Sequence, residues 1–130
     1  MEDTEEDFGM GRRLQESDTT ILVVDDDPEV RELVSEYLRD FGYHVLEADS
    51  GTKALGVVGE QKVLHLIITD IRMPEMSGLE LAELAARQNR DLKIIFMSGY
   101  FSPQQIGQRF LHKPFRLSEL EAAVRTELAN

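Results

Sequence analysis

Cysteine is absent from the 130 residues. That single gap removes disulfides, thiolate nucleophiles, Cys-ligated zinc and iron–sulfur clusters together. Histidine is scarce, and His44, His65 and His112 are too scattered to build a His-rich metal cage. Basic side chains are outnumbered: 14 Lys and Arg stand against 25 Asp and Glu, a net charge of −11. An acid surplus of that size argues against direct nucleic acid binding and against docking on an anionic membrane. No apolar run approaches the ~18–20 residues of a membrane span, and no basic-plus-apolar leader opens the chain. A cytoplasmic protein is therefore expected. What is present suits one domain with one core, since 42% of the residues are apolar types.

Residues 1–19 read differently from the rest. MEDTEEDFGMGRRLQESDT is acid-rich and nearly devoid of large apolar side chains, which predicts a flexible acidic arm. From Thr20 onward, at residues 20–130, short apolar runs alternate with stretches of helical periodicity. Thr20–Asp25 reads as a strand. Pro28 then opens a helix whose apolar stripe is Val30, Leu33, Val34, Tyr37, Leu38 and Phe41, stopped by Gly42. Tyr43–Ala48, Leu64–Thr69 and Lys93–Ser98 read as further strands, and Phe110–His112 as a brief fifth. Helices are expected from Asp49 or Ser50 to about Glu60 and from Gly78 to Asn89. A last one, opened by a Ser118-Glu-Leu-Glu121 capping box, should present Leu117, Leu120, Val124 and Leu128 to the core. Strands of continuous rather than alternating apolar character are buried on both faces, so the expected architecture is a parallel (βα)5 sheet covered by helices.

On such sheets ligands bind at the carboxyl ends of the strands. The first strand ends in Asp25-Asp26-Asp27, the third in Asp70, the fourth in Ser98-Gly99 and the fifth at Lys113-Pro114. Any one of these aspartates alone is an ordinary turn or capping residue, and Asp27 is placed to cap the first helix. Gathered together they demand a counter-cation, because carboxylates about 5 Å apart repel by ~3 kcal/mol at an effective dielectric of 20. Lys113 supplies one positive charge. A hard divalent cation supplies the rest, with Mg2+ preferred over calcium because the calcium-loop spacing is missing. Beside a metal and a lysine, the Asp70 carboxylate is equipped to attack phosphorus, and the Ser98 hydroxyl to hydrogen-bond a transferring oxygen. No phosphate-cradling glycine loop follows the first strand, so no nucleotide is expected.

Ile21-Leu-Val-Val-Asp-Asp26, Ile68-Thr-Asp-Ile-Arg-Met-Pro74 with Ser77-Gly78, Met97-Ser-Gly-Tyr100 and Leu111-His-Lys-Pro-Phe115 together resemble the receiver domain of two-component response regulators, over about residues 20 to 129. The resemblance implies a flavodoxin-like doubly wound parallel sheet with strand order 2-1-3-4-5. It makes Asp70 the phospho-accepting aspartate, Ser98 the switch hydroxyl, Lys113 the phosphate-contacting lysine and Phe110 the switch aromatic. It makes Asp25, Asp26 and Asp70, with the backbone carbonyl of Arg72, the magnesium site, with Asp26 and Asp70 as direct ligands and Asp25 acting directly or through water, and it implies a cis Lys113–Pro114 bond. Arg72 and Tyr100 occupy positions that tune the lifetime of the phosphoryl group, and both are large enough to shade the line of water attack. The implied phosphodonor is a phosphohistidine on a histidine kinase or a phosphotransfer protein, with acetyl phosphate as a small substitute. The downstream protein target is unspecified, and a monomer or weak dimer is expected.

Two features depart from the family pattern. Only Gly99 to Arg109 separate Ser98 from Phe110, close to the minimum of about 10–12 residues for a crossover. With Gly99, Pro103 and Gly107 inside it, the fourth helix of the family should be shortened or unwound here, as in receiver segments of hybrid kinases. The chain also stops just past the last helix, so no output domain is expected. Glu29, Arg31, Glu32 and Glu36 on the first helix form either an exposed kinase contact or a plain solvated face. His44 and His65 are expected as strand or loop positions. Two other functions stay open at this point. One is an aspartate-nucleophile phosphatase, weakly mimicked by Asp25-x-Asp27. The other is an interaction module that never takes phosphate.

Overall fold

The computed structural model describes residues 18–61, 63–100 and 109–130. Its strands are β1 (Thr20–Val24), β2 (His44–Ala48), β3 (Leu66–Asp70), β4 (Lys93–Ser98) and β5 (Arg109–His112). The helices among the described residues are α1 (Pro28–Asp40), α2 (Gly51–Glu60), α3 (Gly78–Gln88) and α4 (Leu117–Ala129). All strands pair in parallel in the order β2-β1-β3-β4-β5, as expected. The expected acidic arm lies outside the described residues except for Asp18 and Thr19. Thr19 is buried, and its carbonyl accepts from the His44 N–H. The expected shortened fourth helix, in residues 101–108, also lies outside them.

The apolar runs work by feeding two faces at once. Ile21 and Val23 of β1 join Leu66, Ile68, Ile95 and Met97 under α1 and α4, where Val34, Leu38, Leu120 and Val124 are buried. Leu22 and Val24 point the other way, into Ile67 and the Ala54, Val58, Leu81 and Ala85 faces of α2 and α3. At roughly 1.5–3 kcal/mol for each fully buried large apolar side chain, these two layers dominate the fold's stability. Leu117 and Leu128 pack against the first layer, so the α4 stripe is as expected.

Local signals set most of the helix ends. Asp27 Oδ1 accepts from the Glu29 N–H at 2.9 Å and caps α1. Gly42 takes φ 101° at its end, a conformation open to glycine, while the Gly42 N–H closes on the Arg39 carbonyl at 2.9 Å. Ser77 and Glu80 form a reciprocal capping box on α3. Two expectations need correction. Ser118 does not cap α4; Glu119 Oε1 instead accepts from the Arg116 N–H at 2.7 Å, so the helix begins before Ser118. Leu33 is 56% exposed rather than part of the α1 core stripe. It lies about 100° round the helix from Val34, outside the arc that the sheet covers.

His65 sits just before β3 and has a structural task. Its Nδ1 accepts from the Thr20 N–H at 3.0 Å, and its backbone links to Thr20 and Lys93. Side chain and backbone of His65 together tie β3 to β1 and β4 at the edge opposite the strands' carboxyl ends.

Candidate functional site

The carboxyl ends of β1, β3, β4 and β5 converge as the sequence suggests. Three carboxylates, from Asp25, Asp26 and Asp70, each offer an oxygen within 4.8 Å of the others. Their environments differ. Asp25 is fully buried, Asp70 is buried at the last position of β3, and Asp26 is exposed. Lys113 reaches the group from the chain after β5: its Nζ lies 2.9 Å from Asp25 Oδ2 and 3.5 Å from Asp70 Oδ1. The Lys113–Pro114 bond is cis, as expected.

Each carboxylate is aimed by its surroundings. Asp25 Oδ1 accepts from the Asp27 N–H at 3.0 Å, an Asx-type turn that bends the chain from β1 towards α1. The Asp25 N–H donates to the Ala48 carbonyl at 3.2 Å, continuing the β1–β2 pairing by one residue. Asp70 is braced through its backbone. The Ile71 N–H donates to the Met97 carbonyl, the Gly78 N–H donates to the Ile71 carbonyl, and the Thr69 hydroxyl donates to the Asp70 carbonyl at 2.9 Å. Loop 71–77 thus leaves β3 and returns to the same point.

The electrostatics are unbalanced towards negative charge. Burial, together with the neighbouring Asp25 carboxylate, pushes the Asp70 carboxyl up to about 6 against the pull of Lys113. Burial works against the Lys113 ammonium as well. The hydrogen bond and charge of Asp25, with the charge of Asp70, outweigh it and hold the lysine above its ordinary value. One ammonium therefore does not neutralise the pocket. The donor set is all oxygen and anionic, which fits a hard divalent cation such as Mg2+ rather than a soft metal.

The remaining expected residues lie on β4, on β5 and in the segments that follow β3 and β4. Ser98 ends β4, is 1% exposed, and its Oγ accepts from the Tyr100 N–H at 3.0 Å. Its carbonyl accepts from the Lys113 backbone N–H, which ties the end of β4 to the chain just past β5. Phe110 is half-buried against the Ile71, Ile94 and Phe96 cluster, with its ring edge-on to His112. Arg72 and Tyr100 are both exposed, but they are not independent. The Arg72 guanidinium lies 4.3 Å above the Tyr100 ring.

Two participants escaped the sequence reading. Arg31, expected on an exposed face, turns inward and is only 17% exposed along its side chain. Its Nη1 donates to the Asp25 carbonyl at 2.8 Å and its Nε pairs with Glu47 at 3.3 Å. Gly78 has no room for a side chain: a Cβ there would overlap the Asp70 carbonyl oxygen. The Ser77-Gly78 pair was the available signal for the second, whereas nothing in the helical pattern marks Arg31.

The response regulator receiver domain family model matches residues 21–125. The chain belongs to the receiver-domain family of two-component response regulators. Response regulator receiver protein CpdR of Brucella abortus is 38% identical over 107 residues, covering 77% of this chain and 88% of its own. The receiver domain of hybrid histidine kinase CckA superposes with a TM-score of 0.75 at 34% identity, covering 84% of this chain and 98% of that one. Response regulator TrrA of Thermotoga maritima, in complex with Mg(2+)-BeF, gives a TM-score of 0.76 at 34% identity, over 83% and 97% of the two chains. Other relatives are longer. The chain covers 57% of regulator TmoT from Ectopseudomonas mendocina, to which it is 36% identical over 92% of its own length. As in a receiver, the acidic cluster is compatible with Mg2+. No helix among the described residues is long and apolar enough to cross a membrane.

Proposed function

We propose that Asp70 accepts a phosphoryl group from a phosphohistidine on a histidine kinase or phosphotransfer protein. One observation carries this reading: the Lys113 ammonium reaches both Asp25 and Asp70 inside a cluster of three carboxylates at the carboxyl ends of a parallel sheet. The complex of the similar TrrA with Mg(2+)-BeF supports the metal-assisted version.

In this reading Asp26, Asp70 and the Arg72 carbonyl would hold Mg2+, with Asp25 acting directly or through water. When bound, the ion neutralises charge on the pocket and on the transferring oxygens. The chain's own residues do the rest. An Asp70 carboxylate oxygen attacks phosphorus, an O–P bond forms, the N–P bond breaks, and its electron pair stays on the donor's imidazole. Lys113 and Ser98 bind the phosphoryl oxygens. The acyl phosphate adds roughly −1.5 to −2 charge beside Ser98. Drawing the Ser98 hydroxyl towards it breaks the bond from the Tyr100 N–H and alters the space beside the half-buried Phe110. That shift changes a surface for a partner protein or passes phosphate onward. The domain is stoichiometric rather than a turnover enzyme, acts in the cytoplasm as a monomer or weak dimer, and binds no nucleic acid directly.

Acetyl phosphate with magnesium should label the native chain once, and Asp70→Asn not at all. Continuous release of phosphate would favour the phosphatase reading instead, and absence of label the inert module. A second expectation concerns lifetime. The stacked Arg72–Tyr100 pair shades the approach of water to Asp70, so the label should persist well beyond minutes at neutral pH. Tyr100→Ala should speed its loss by about threefold, the equivalent of one exposed cation–π contact. Minute-scale decay in the native chain, unchanged in the variant, would refute the shading.

A further inference from the structure

We infer that Arg31, held by Glu47, is a positioning residue that sets the Asp25 carboxylate for cation binding. The inference rests on the phospho-acceptor reading, and it starts from a gap in the sheet. β1 ends at Val24, and the Asp25 N–H makes one further pairing with the Ala48 carbonyl. The chain then turns through Asp26 and Asp27 into α1, so the Asp25 carbonyl has no ladder partner to follow. Arg31, from the first turn of α1, fills that vacancy at 2.8 Å. A buried carbonyl left unpaired would cost free energy and let the turn swing.

The guanidinium is itself fixed. Glu47 on β2 accepts from Arg31 Nε at 3.3 Å through one carboxylate oxygen. Its other oxygen takes Arg39 Nη2 at 3.1 Å, and Arg39 also donates to the Val45 carbonyl at 3.0 Å. Two arginines on α1 thus grip one β2 carboxylate, and only the inner one reaches the site. A planar guanidinium holds a carbonyl and a carboxylate at once, whereas a lysine ammonium is a point donor on a flexible stem. The arrangement constrains Asp25 from four sides: Ala48 on its N–H, Arg31 on its carbonyl, Asp27 on Oδ1 and Lys113 on Oδ2. It also places a positive charge one peptide away from a carboxylate that lies among like charges.

A plain helix-to-sheet staple would make the same contacts, so the experiment must separate stability from positioning. The native chain, Arg31→Gln, Arg31→Lys and Glu47→Gln are compared below their melting midpoints. The readouts are calorimetric Mg2+ affinity of the unphosphorylated protein and the initial acetyl phosphate labelling rate at saturating Mg2+. Arg31→Gln should weaken Mg2+ binding by about tenfold, the size usual for residues that orient metal ligands. Arg31→Lys should recover part of that loss. Glu47→Gln, which loosens the clamp but leaves the carbonyl paired, should weaken Mg2+ by about threefold and decides the matter if Arg31→Gln does not fold. Variants that melt earlier yet bind Mg2+ like the native chain would overturn the inference. A native chain that binds Mg2+ but takes no label would instead overturn the phospho-acceptor reading, and the Mg2+ affinities would still judge Arg31.

Discussion

In metal-free buffer, Asp70→Asn should be more stable than the native chain at about pH 7, and that margin should shrink as the pH falls from about 6 to about 4. The Asp70 carboxyl titrates near 3.8 when unfolded and is pushed up to about 6 by burial and by Asp25 in the folded chain. The folded state therefore holds this proton more tightly than the unfolded one. Its favourable contribution is complete below the unfolded value and is lost as the pH rises through the folded one. The gap between those two values corresponds to about 3 kcal/mol, an upper figure because solvent screens a group this close to the surface. Asparagine has no proton to lose, so the difference between the two proteins should widen by up to that amount between about pH 3.5 and about pH 7. Urea unfolding across this range, with chelator present, measures it. Millimolar Mg2+ should then close the margin, because the ion binds the native acidic cluster more strongly than that of the Asp70→Asn variant. A margin independent of pH would mean that Asp70 is not electrostatically burdened.

The second large effect is steric. Gly78→Ala drives a methyl group into the Asp70 carbonyl oxygen and to 3.0 Å from the Ile71 Cα, both backbone atoms with no rotamer to yield. The loop must move, and it is the loop that carries Asp70 at one end and the α3 cap at the other. Stability should fall by about 3 kcal/mol, at the upper end for overpacking. Labelling at Asp70 should fall by about 100-fold, as expected when a reacting group moves by about 1 Å. Gly56→Ala is the matched control. It lies in α2, where an added Cβ meets nothing within 4 Å, and it should stabilise the helix by about 1 kcal/mol. Urea midpoints and labelling rates of the pair separate the steric effect from a general glycine effect. A Gly78→Ala protein with native labelling would show that the close approach does not position Asp70.

Legibility divided along physical lines. The runs Ile21–Val24, Leu66–Thr69 and Ile94–Met97 could be read as buried strands because both of their faces are apolar, a property of the residues alone. Asp25, Asp70, Ser98 and Lys113 could be read as one site because parallel strands all deliver their carboxyl ends to one edge. Leu33 could not be placed, because its apolar character is the same whether the sheet reaches its side of α1 or not. The cap of α4 was misplaced for a related reason. Ser118 and Glu121 have the right spacing, yet Glu119 reaches the Arg116 N–H first.

The side-chain chemistry of residues 20–130 and its order along the chain were enough to specify a parallel sheet, its strand order through family likeness, and the set of acid, hydroxyl and ammonium groups at one edge. Packing alone settled the finer matters: that Arg31 turns in to hold the Asp25 carbonyl, that Gly78 must lie against Asp70, and that Arg72 rests on Tyr100. Periodicity along a chain reports which face of an element is apolar. It carries no information about how far apart two elements stand, and contacts of a few ångströms depend on that distance.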